Sequence, residues 1–248
     1  MKVVILAGGY GTRIREETYA IPKPLIKIGE YPIIWHIMKI YSYYGYNDFV
    51  IPLGYKGNLI KDFFLNYKKL YSNLNIDLDK DKITIINPIK EKWNITLIDT
   101  GLNTMTGGRI KKIKKYLNNE RFFLTYGDGL ADININKLLN FHIKNKKIAT
   151  ITAINKISNY GVIKIKKNLV DSFKEKPINQ KEFINGGFFV CEPEIFRYLK
   201  GNNTIFEKEP LEKLTKNKQL SSFIHKGFWH SMDNLNDKEN LENIWSTN

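Results

Sequence analysis

The chain has 248 residues, 42% of them hydrophobic, enough to bury a sizeable core as one large domain or two small ones. Its formal charge of +14 could suit nucleic acid or an acidic membrane surface, but the lysines are spread among Asn and Ile, with clusters at Lys111-Lys112-Ile113-Lys114-Lys115 and Lys144-Asn145-Lys146-Lys147, as on solvated helix faces. No nucleic-acid recognition motif accompanies them, no apolar run reaches membrane-spanning length, and the lone Cys191 excludes an internal disulfide or a Cys-based metal cluster, so a cytoplasmic protein without nucleic-acid or membrane partners is expected.

The first element, Lys2–Ala7, reads as a buried parallel strand, and Gly8-Gly9-Tyr10-Gly11-Thr12-Arg13 follows at once. Its three glycines permit a tight turn whose backbone N–H groups face an anion. It is not the dinucleotide fingerprint, because Ile14 holds the place of the third glycine, and no stretch supplies a P-loop. What remains is a glycine loop with two cations, Arg13 and Lys23. Pro22 and Pro24 stiffen the backbone around the lysine, which is either held toward a phosphate or an ordinary surface lysine.

Further strand signals at Phe49–Leu53, Arg121–Tyr126 and Ile148–Ala153 alternate with amphipathic stretches near Ile33–Tyr44, Leu59–Leu70, Arg109–Leu117 and Ile135–Lys144. This alternation predicts an α/β fold, a Rossmann-like, mixed but mostly parallel sheet with helices on both faces and its ligand at the carboxyl ends of the strands. After Ala153 come shorter β-rich pieces, Tyr160–Ile165, Val170–Lys174 and Phe183–Cys191, then helical signals at Pro193–Leu199, Ile205–Thr215 and Asn236–Trp245. We read one domain, 1–248, with a lobe at 1–155 and a smaller β-rich lobe at 156–248. Ser72–Pro88 and Asn94–Gly107 read as inserts that interrupt the alternation.

Two aspartates stand out. Asp128, between Gly127 and Gly129 at a strand end, is either free to meet a ligand or an ordinary turn residue. Asp233, after Phe228-Trp229 and Met232, is either a ligand or a helix N-cap. The four histidines are scattered without zinc-ligand spacing.

Gly-Gly-x-Gly-Thr-Arg followed by Pro22-Lys23-Pro24 resembles the signature of the sugar-1-phosphate nucleotidylyltransferases. The resemblance continues in order through Trp35-His36-Ile37-Met38-Lys39, Gly54-Tyr55-Lys56-Gly57, Trp93-Asn94, Asp99-Thr100-Gly101, Tyr126-Gly127-Asp128-Gly129, Glu175-Lys176-Pro177, Asn185-Gly186-Gly187-Phe188-Phe189 and Gly227-Phe228-Trp229. Where thymidylyl relatives carry Leu-Ala-Gln-Ala, Thr104-Met105-Thr106-Gly107-Gly108-Arg109 is similar to the cytidylyl pattern.

The resemblance implies the nucleotide-diphospho-sugar transferase fold, with residues 1–155 binding nucleotide and 156–248 binding sugar phosphate. It implies cytidylyl transfer from CTP to a sugar 1-phosphate, glucose 1-phosphate first, giving CDP-glucose and pyrophosphate for lipopolysaccharide or other polysaccharide synthesis. It assigns Arg13 and Lys23 to catalysis, and Asp128 and Asp233 to Mg²⁺. Leu6, Ala7, Gly8, Gly9, Gly11, Thr12, Thr106, Gly107 and Arg109 fall to the nucleotide, and Tyr126, Gly161, Glu175, Lys176 and Asn185 to the sugar phosphate. It also implies a homo-oligomer. Lys156–Tyr160 departs from the family, so another sugar 1-phosphate stays open, as do UTP or dTTP as donor and a non-catalytic regulatory homologue.

Overall fold

The side chains of β1 (Val3–Leu6) are all buried, Val3 and Ile5 in the core on one face of the sheet and Val4 and Leu6 in the core on the other. The computed structural model that shows this describes residues 1–14, 18–156, 162–166, 169–174 and 182–247. After β1, the short ribbon of β2 (Lys27–Ile28) and β3 (Tyr31–Pro32) leads into α1 (Ile33–Tyr43), β4 (Asp48–Leu53) and α2 (Gly57–Leu70). A hairpin of β5 (Asn73–Asp77) and β6 (Lys82–Ile86) precedes β7 (Asn94–Asp99), α3 (Thr106–Lys112), β8 (Phe122–Tyr126), β9 (Gly129–Ala131), α4 (Ile135–Asn145) and β10 (Ala149–Lys156). The chain continues with the hairpin of β11 (Val162–Lys166) and β12 (Leu169–Lys174), then β13 (Glu182–Cys191), α5 (Glu209–Lys216), β14 (Leu220–His225), β15 (Trp229–Ser231) and α6 (Leu235–Ser246).

The central sheet has seven strands in the order β14-β10-β13-β8-β1-β4-β7. β1 pairs in parallel with β4 and β8, β4 with β7, and β10 with β14, whereas β13 runs antiparallel to both neighbours. Parallel neighbours need crossovers, and the helices supply them on both faces. Ile33, Ile37 and Tyr41 of α1, Ile135 and Leu138 of α4 and Leu241 of α6 pack with Val3, Ile5 and Phe123. Ile110 of α3 and Leu211 and Leu214 of α5 pack with Val4, Leu124 and Phe189. This is the expected mostly parallel α/β arrangement. From β1 the chain moves outward to β4 on one side and β8 on the other, so the loops leaving β1 and β8 part and open a crevice at the strands' carboxyl ends.

Three sequence expectations change in detail. Asn94–Gly107 is not an insert throughout: Asn94–Asp99 is β7, the sheet edge beside β4, registered Asp48 to Asn94 through Leu53 to Asp99. Ser72–Pro88 holds the β5–β6 hairpin, a two-stranded sheet of its own. The helix expected from Arg109 starts at Thr106, despite two unfavourable glycines in its first turn, because tertiary packing needs them small. A Cβ on Gly107 would lie 2.8 Å from the Thr204 methyl, and one on Gly108 would lie 2.6 Å from the Asn202 carbonyl. The 202–204 loop lies against this turn, with the Met105 N–H donating to Asn202 O at 2.8 Å and the Gly108 N–H to Thr204 O at 3.2 Å.

Candidate active site

A cavity of about 1010 Å³ opens at the crevice between the β1 and β8 loops. The glycine loop forms one wall, with Gly11 in the left-handed region at φ +65°, where a Cβ would lie 2.7 Å from the Thr18 methyl. Leu6, Ala7, Gly8, Gly9, Gly11 and Thr12 all line the cavity. The backbone of Arg13 lies in a short 3₁₀ turn, Thr12–Ile14; its side chain lies outside the described residues.

Lys23 is set in another 3₁₀ turn, Lys23–Leu25, between Pro22 in extended conformation and Pro24. The turn is closed by the Leu25 N–H donating to Pro22 O at 2.8 Å and the Ile26 N–H to Lys23 O at 3.1 Å. The side chain is only 11% exposed, and its ammonium donates to Asp128 Oδ2 at 2.8 Å and Asp233 Oδ1 at 3.1 Å. Lys23 is therefore not an ordinary surface lysine: its charge is held in the cavity between two carboxylates.

The fold explains how aspartates far apart in sequence meet. Asp128 sits in the turn between β8 and β9, anchored by the Gly127 N–H on Leu6 O at 3.1 Å. β9 pairs antiparallel with β15, registering Gly129 with Ser231, and the Met232 N–H donates to Asp128 O at 2.9 Å. That ribbon carries Asp233 to the side of Asp128. The N-cap of α6 is Asn234, in a capping box with Asp237, so the carboxylate of Asp233 is turned to Lys23 and to the Ser231 hydroxyl, which donates to Oδ2 at 3.1 Å.

A cation already rests where the two carboxylates converge, and each carboxylate is about one-third exposed to the cavity, at 33% and 32%. Their oxygens suit a hard divalent cation that keeps further oxygen ligands. Among the described residues no group of three or more His, Cys, Asp or Glu is placed to hold a metal, so phosphate oxygens and water would complete its shell.

Arg109 also lines the cavity and is 4% exposed. Its Nη1 donates to Leu53 O at 2.8 Å, Thr100 Oγ1 at 2.7 Å and Gly101 O at 2.9 Å, and its Nη2 to Gly8 O at 2.9 Å and Leu102 O at 3.1 Å. The guanidinium thus ties the glycine loop to the loop after β7. Burial pulls its pKa below the usual arginine range, with Asp99 opposing. Gly107 packs under Thr204, as above, and Thr106 lines the cavity.

On the other flank, Tyr126 ends β8 and Asn185 lies in β13, and both line the cavity. The Asn185 amide Nδ2 donates to the Tyr126 hydroxyl at 3.1 Å, while its Oδ1 accepts from the Gly187 N–H at 2.8 Å. Tyr126 in turn donates to Glu207 Oε1 at 2.7 Å. Burial and then the Glu207 carboxylate push the Tyr126 phenol well above its ordinary pKa, so it keeps its proton. Gly161, Glu175 and Lys176 lie outside the described residues. Sequence reasoning missed Glu207, which lines the cavity two residues ahead of α5 and reads in sequence as a helix-start acid. It named Trp229 within a motif but gave it no role; its indole N–H donates to Gly186 O at 2.7 Å beside Asn185.

Comparison with known proteins agrees with this geometry. The family model described as "Nucleotidyl transferase" matches residues 2–237. The glucose-1-phosphate cytidylyltransferase of Salmonella typhimurium strain LT2 is 45% identical over 246 residues, covering 99% of this chain and 96% of the relative. A Bacillus subtilis strain 168 protein named probable glucose-1-phosphate cytidylyltransferase is 44% identical over 247 residues, with the same two coverages, 99% and 96%. Among solved structures, a UDP-glucose pyrophosphorylase complexed with UDP-glucose superposes with a TM-score of 0.70 at 20% identity, over 99% of this chain and 98% of that one, which shows a shared fold. The chain belongs to the nucleotidyl transferase family.

Proposed function

We propose that this chain transfers the cytidylyl group of CTP to glucose 1-phosphate, releasing pyrophosphate and forming CDP-glucose in the cytoplasm. The observation that carries the reading is the convergence of Asp128, Asp233 and Lys23 in the cavity beside the glycine loop. Near-full-length identity of 45% to a cytidylyltransferase supports the choice of donor. The sugar phosphate's oxygen is already ionised at neutral pH, so it attacks the α-phosphorus without a general base, and the bond to the leaving pyrophosphate breaks in line.

The protein's task is to position two polyanions and to stabilise charge. Glycine-loop N–H groups would cradle the triphosphate, with Arg13 and Lys23 countering charge that grows at the α-phosphorus and on pyrophosphate. Asp128 and Asp233 would hold Mg²⁺, which would supply Lewis-acid charge screening to the phosphates. With the carboxylates so engaged, Lys23 would be released from them to pair with phosphate. Arg109 keeps Gly8 and the 101–102 loop in register around the base end, which Thr106 also lines. Tyr126 and Asn185 face the hexose. Gly161, Glu175 and Lys176 complete the sugar-phosphate side of the proposal, with residues 156–248 as its lobe. Asp233 brings that lobe to the metal.

The test is a pyrophosphate-release assay across CTP, UTP, dTTP and GTP with several sugar 1-phosphates, in the presence and absence of EDTA. CTP with glucose 1-phosphate should give the highest kcat/KM, and EDTA should abolish turnover. Equal use of UTP or dTTP would refute the donor assignment, and full activity in EDTA the metal assignment. Sedimentation velocity decides the homo-oligomeric state that belongs to the same proposal.

A further inference from the structure

Glu207 is a cavity carboxylate with no part in the chemistry above, and it joins Thr106 at the start of α3 to Tyr126 at the end of β8. Its Oε2 accepts from the Thr106 hydroxyl at 2.6 Å, and its Oε1 from the Tyr126 hydroxyl at 2.7 Å. A hydroxyl has one proton, so both protons are committed to Glu207. The Thr106 oxygen also accepts from the Phe206 N–H at 2.9 Å, and the Tyr126 oxygen from Asn185 Nδ2 at 3.1 Å. Each oxygen turns only lone pairs to a ligand, and the carboxylate between them also only accepts.

Such a wall takes a hydrogen-bond donor and rejects an acceptor. Thr106 opens α3, one turn ahead of Arg109, whose guanidinium grips Gly8 O, so this part of the wall adjoins the glycine loop. We propose that Glu207 determines the nucleobase preference: by drawing the hydroxyl proton of Thr106 to itself, while Tyr126 holds its other oxygen from the hexose side, it makes the base end of the wall an acceptor, matched to the exocyclic amino group of cytosine and mismatched to the O4 carbonyl of uracil or thymine. The inference rests on the CTP reading and adds the residue behind it.

In Glu207→Gln the side chain keeps one accepting oxygen and gains an NH₂. One of the two hydroxyls must then release its proton toward the cavity, and the wall acquires a donor. The experiment measures kcat/KM for CTP and UTP with glucose 1-phosphate, together with Kd for each nucleotide by calorimetry, in wild type, Glu207→Gln, Thr106→Val and Thr106→Ser. The CTP-to-UTP ratio should fall about tenfold or more in Glu207→Gln and in Thr106→Val, and should be held by Thr106→Ser, which retains the hydroxyl. Equal slowing of both nucleotides in Glu207→Gln would overturn the inference while the CTP reading stands. A change confined to the KM of glucose 1-phosphate would overturn it too, by assigning the acceptors to a sugar hydroxyl. Wild-type preference for UTP would overturn both readings. Should Glu207→Gln fail to fold by circular dichroism, the Thr106 pair decides: a ratio unchanged in Thr106→Val refutes the inference, and a ratio lost there but held in Thr106→Ser supports it.

Discussion

Replacing Arg109 by Met separates a residue that builds the cavity from one that only touches ligand. The guanidinium makes five hydrogen bonds of 2.7–3.1 Å to Leu53, Thr100, Gly101, Gly8 and Leu102, which lie on three separate stretches of chain. Methionine fills much of the volume and supplies none of these donors. Each bond to a charged donor contributes roughly 1.5–3 kcal/mol, but the carbonyls nearest the cavity can recover water, and the variant no longer carries the cost of burying a cation. Setting these against one another leaves a net destabilisation of about 2–4 kcal/mol. For a chain of this size that lowers the thermal midpoint by roughly 5–15 °C. The assay is a denaturation scan with a urea titration, beside KM for CTP. Arg109→Lys should fall between, since an ammonium cannot fork across carbonyls set on both sides of it. An unchanged midpoint in Arg109→Met with CTP binding lost a hundredfold would refute the clamp and make Arg109 a direct ligand contact.

Lys23→Ala should lower turnover roughly 10²-fold or more, with a smaller change in CTP affinity, because its charge acts most as charge develops at phosphorus; steady-state kcat and KM resolve the two, and near-normal kcat would remove Lys23 from the chemistry. Asp128→Asn and Asp233→Asn should each abolish metal-dependent turnover and leave the far-ultraviolet circular dichroism unchanged, and calorimetric Mn²⁺ binding should fall in both. His142 is 1% exposed, and burial lowers its pKa below 6.5 although Glu192 at 3.1 Å opposes this. His36, also buried, shifts the same way. Below pH about 6.5 the unfolded chain binds more protons than the folded one, so stability is full above that pH and falls as acid is added through the window down to the folded pKa values. Urea midpoints measured from pH 8 to pH 5 should decline accordingly, and His142→Asn should flatten the decline.

What could be read from sequence followed from how local its cause was. β1 and its glycine loop announce themselves because a fully buried strand and an anion-facing turn each leave a contiguous signature, and Asp128 is marked by the glycines beside it. The edge strand β7 was hidden because Asn94-Ile95-Thr96-Leu97-Ile98-Asp99 pairs only with β4, and its partner lies more than forty residues earlier. Thr106-Gly107-Gly108 opens a helix for a reason held by Asn202 and Thr204, a hundred residues away. Arg109 was legible as part of the Thr104–Arg109 motif, yet its use depends on Gly8, Leu53, Gly101 and Leu102 arriving together. Glu207 is the extreme case. In sequence it is one acid among Glu207-Lys208-Glu209-Pro210, and Glu209, which does answer to local lysines, is the more conspicuous, its pKa drawn down to about 2 by Lys200 and Lys213. Only the crossing of α3, β8 and the 202–207 loop gives Glu207 two hydroxyl donors at once. A site's charges can therefore be read from motifs, whereas the direction in which its hydroxyl protons point is a property of the assembled fold.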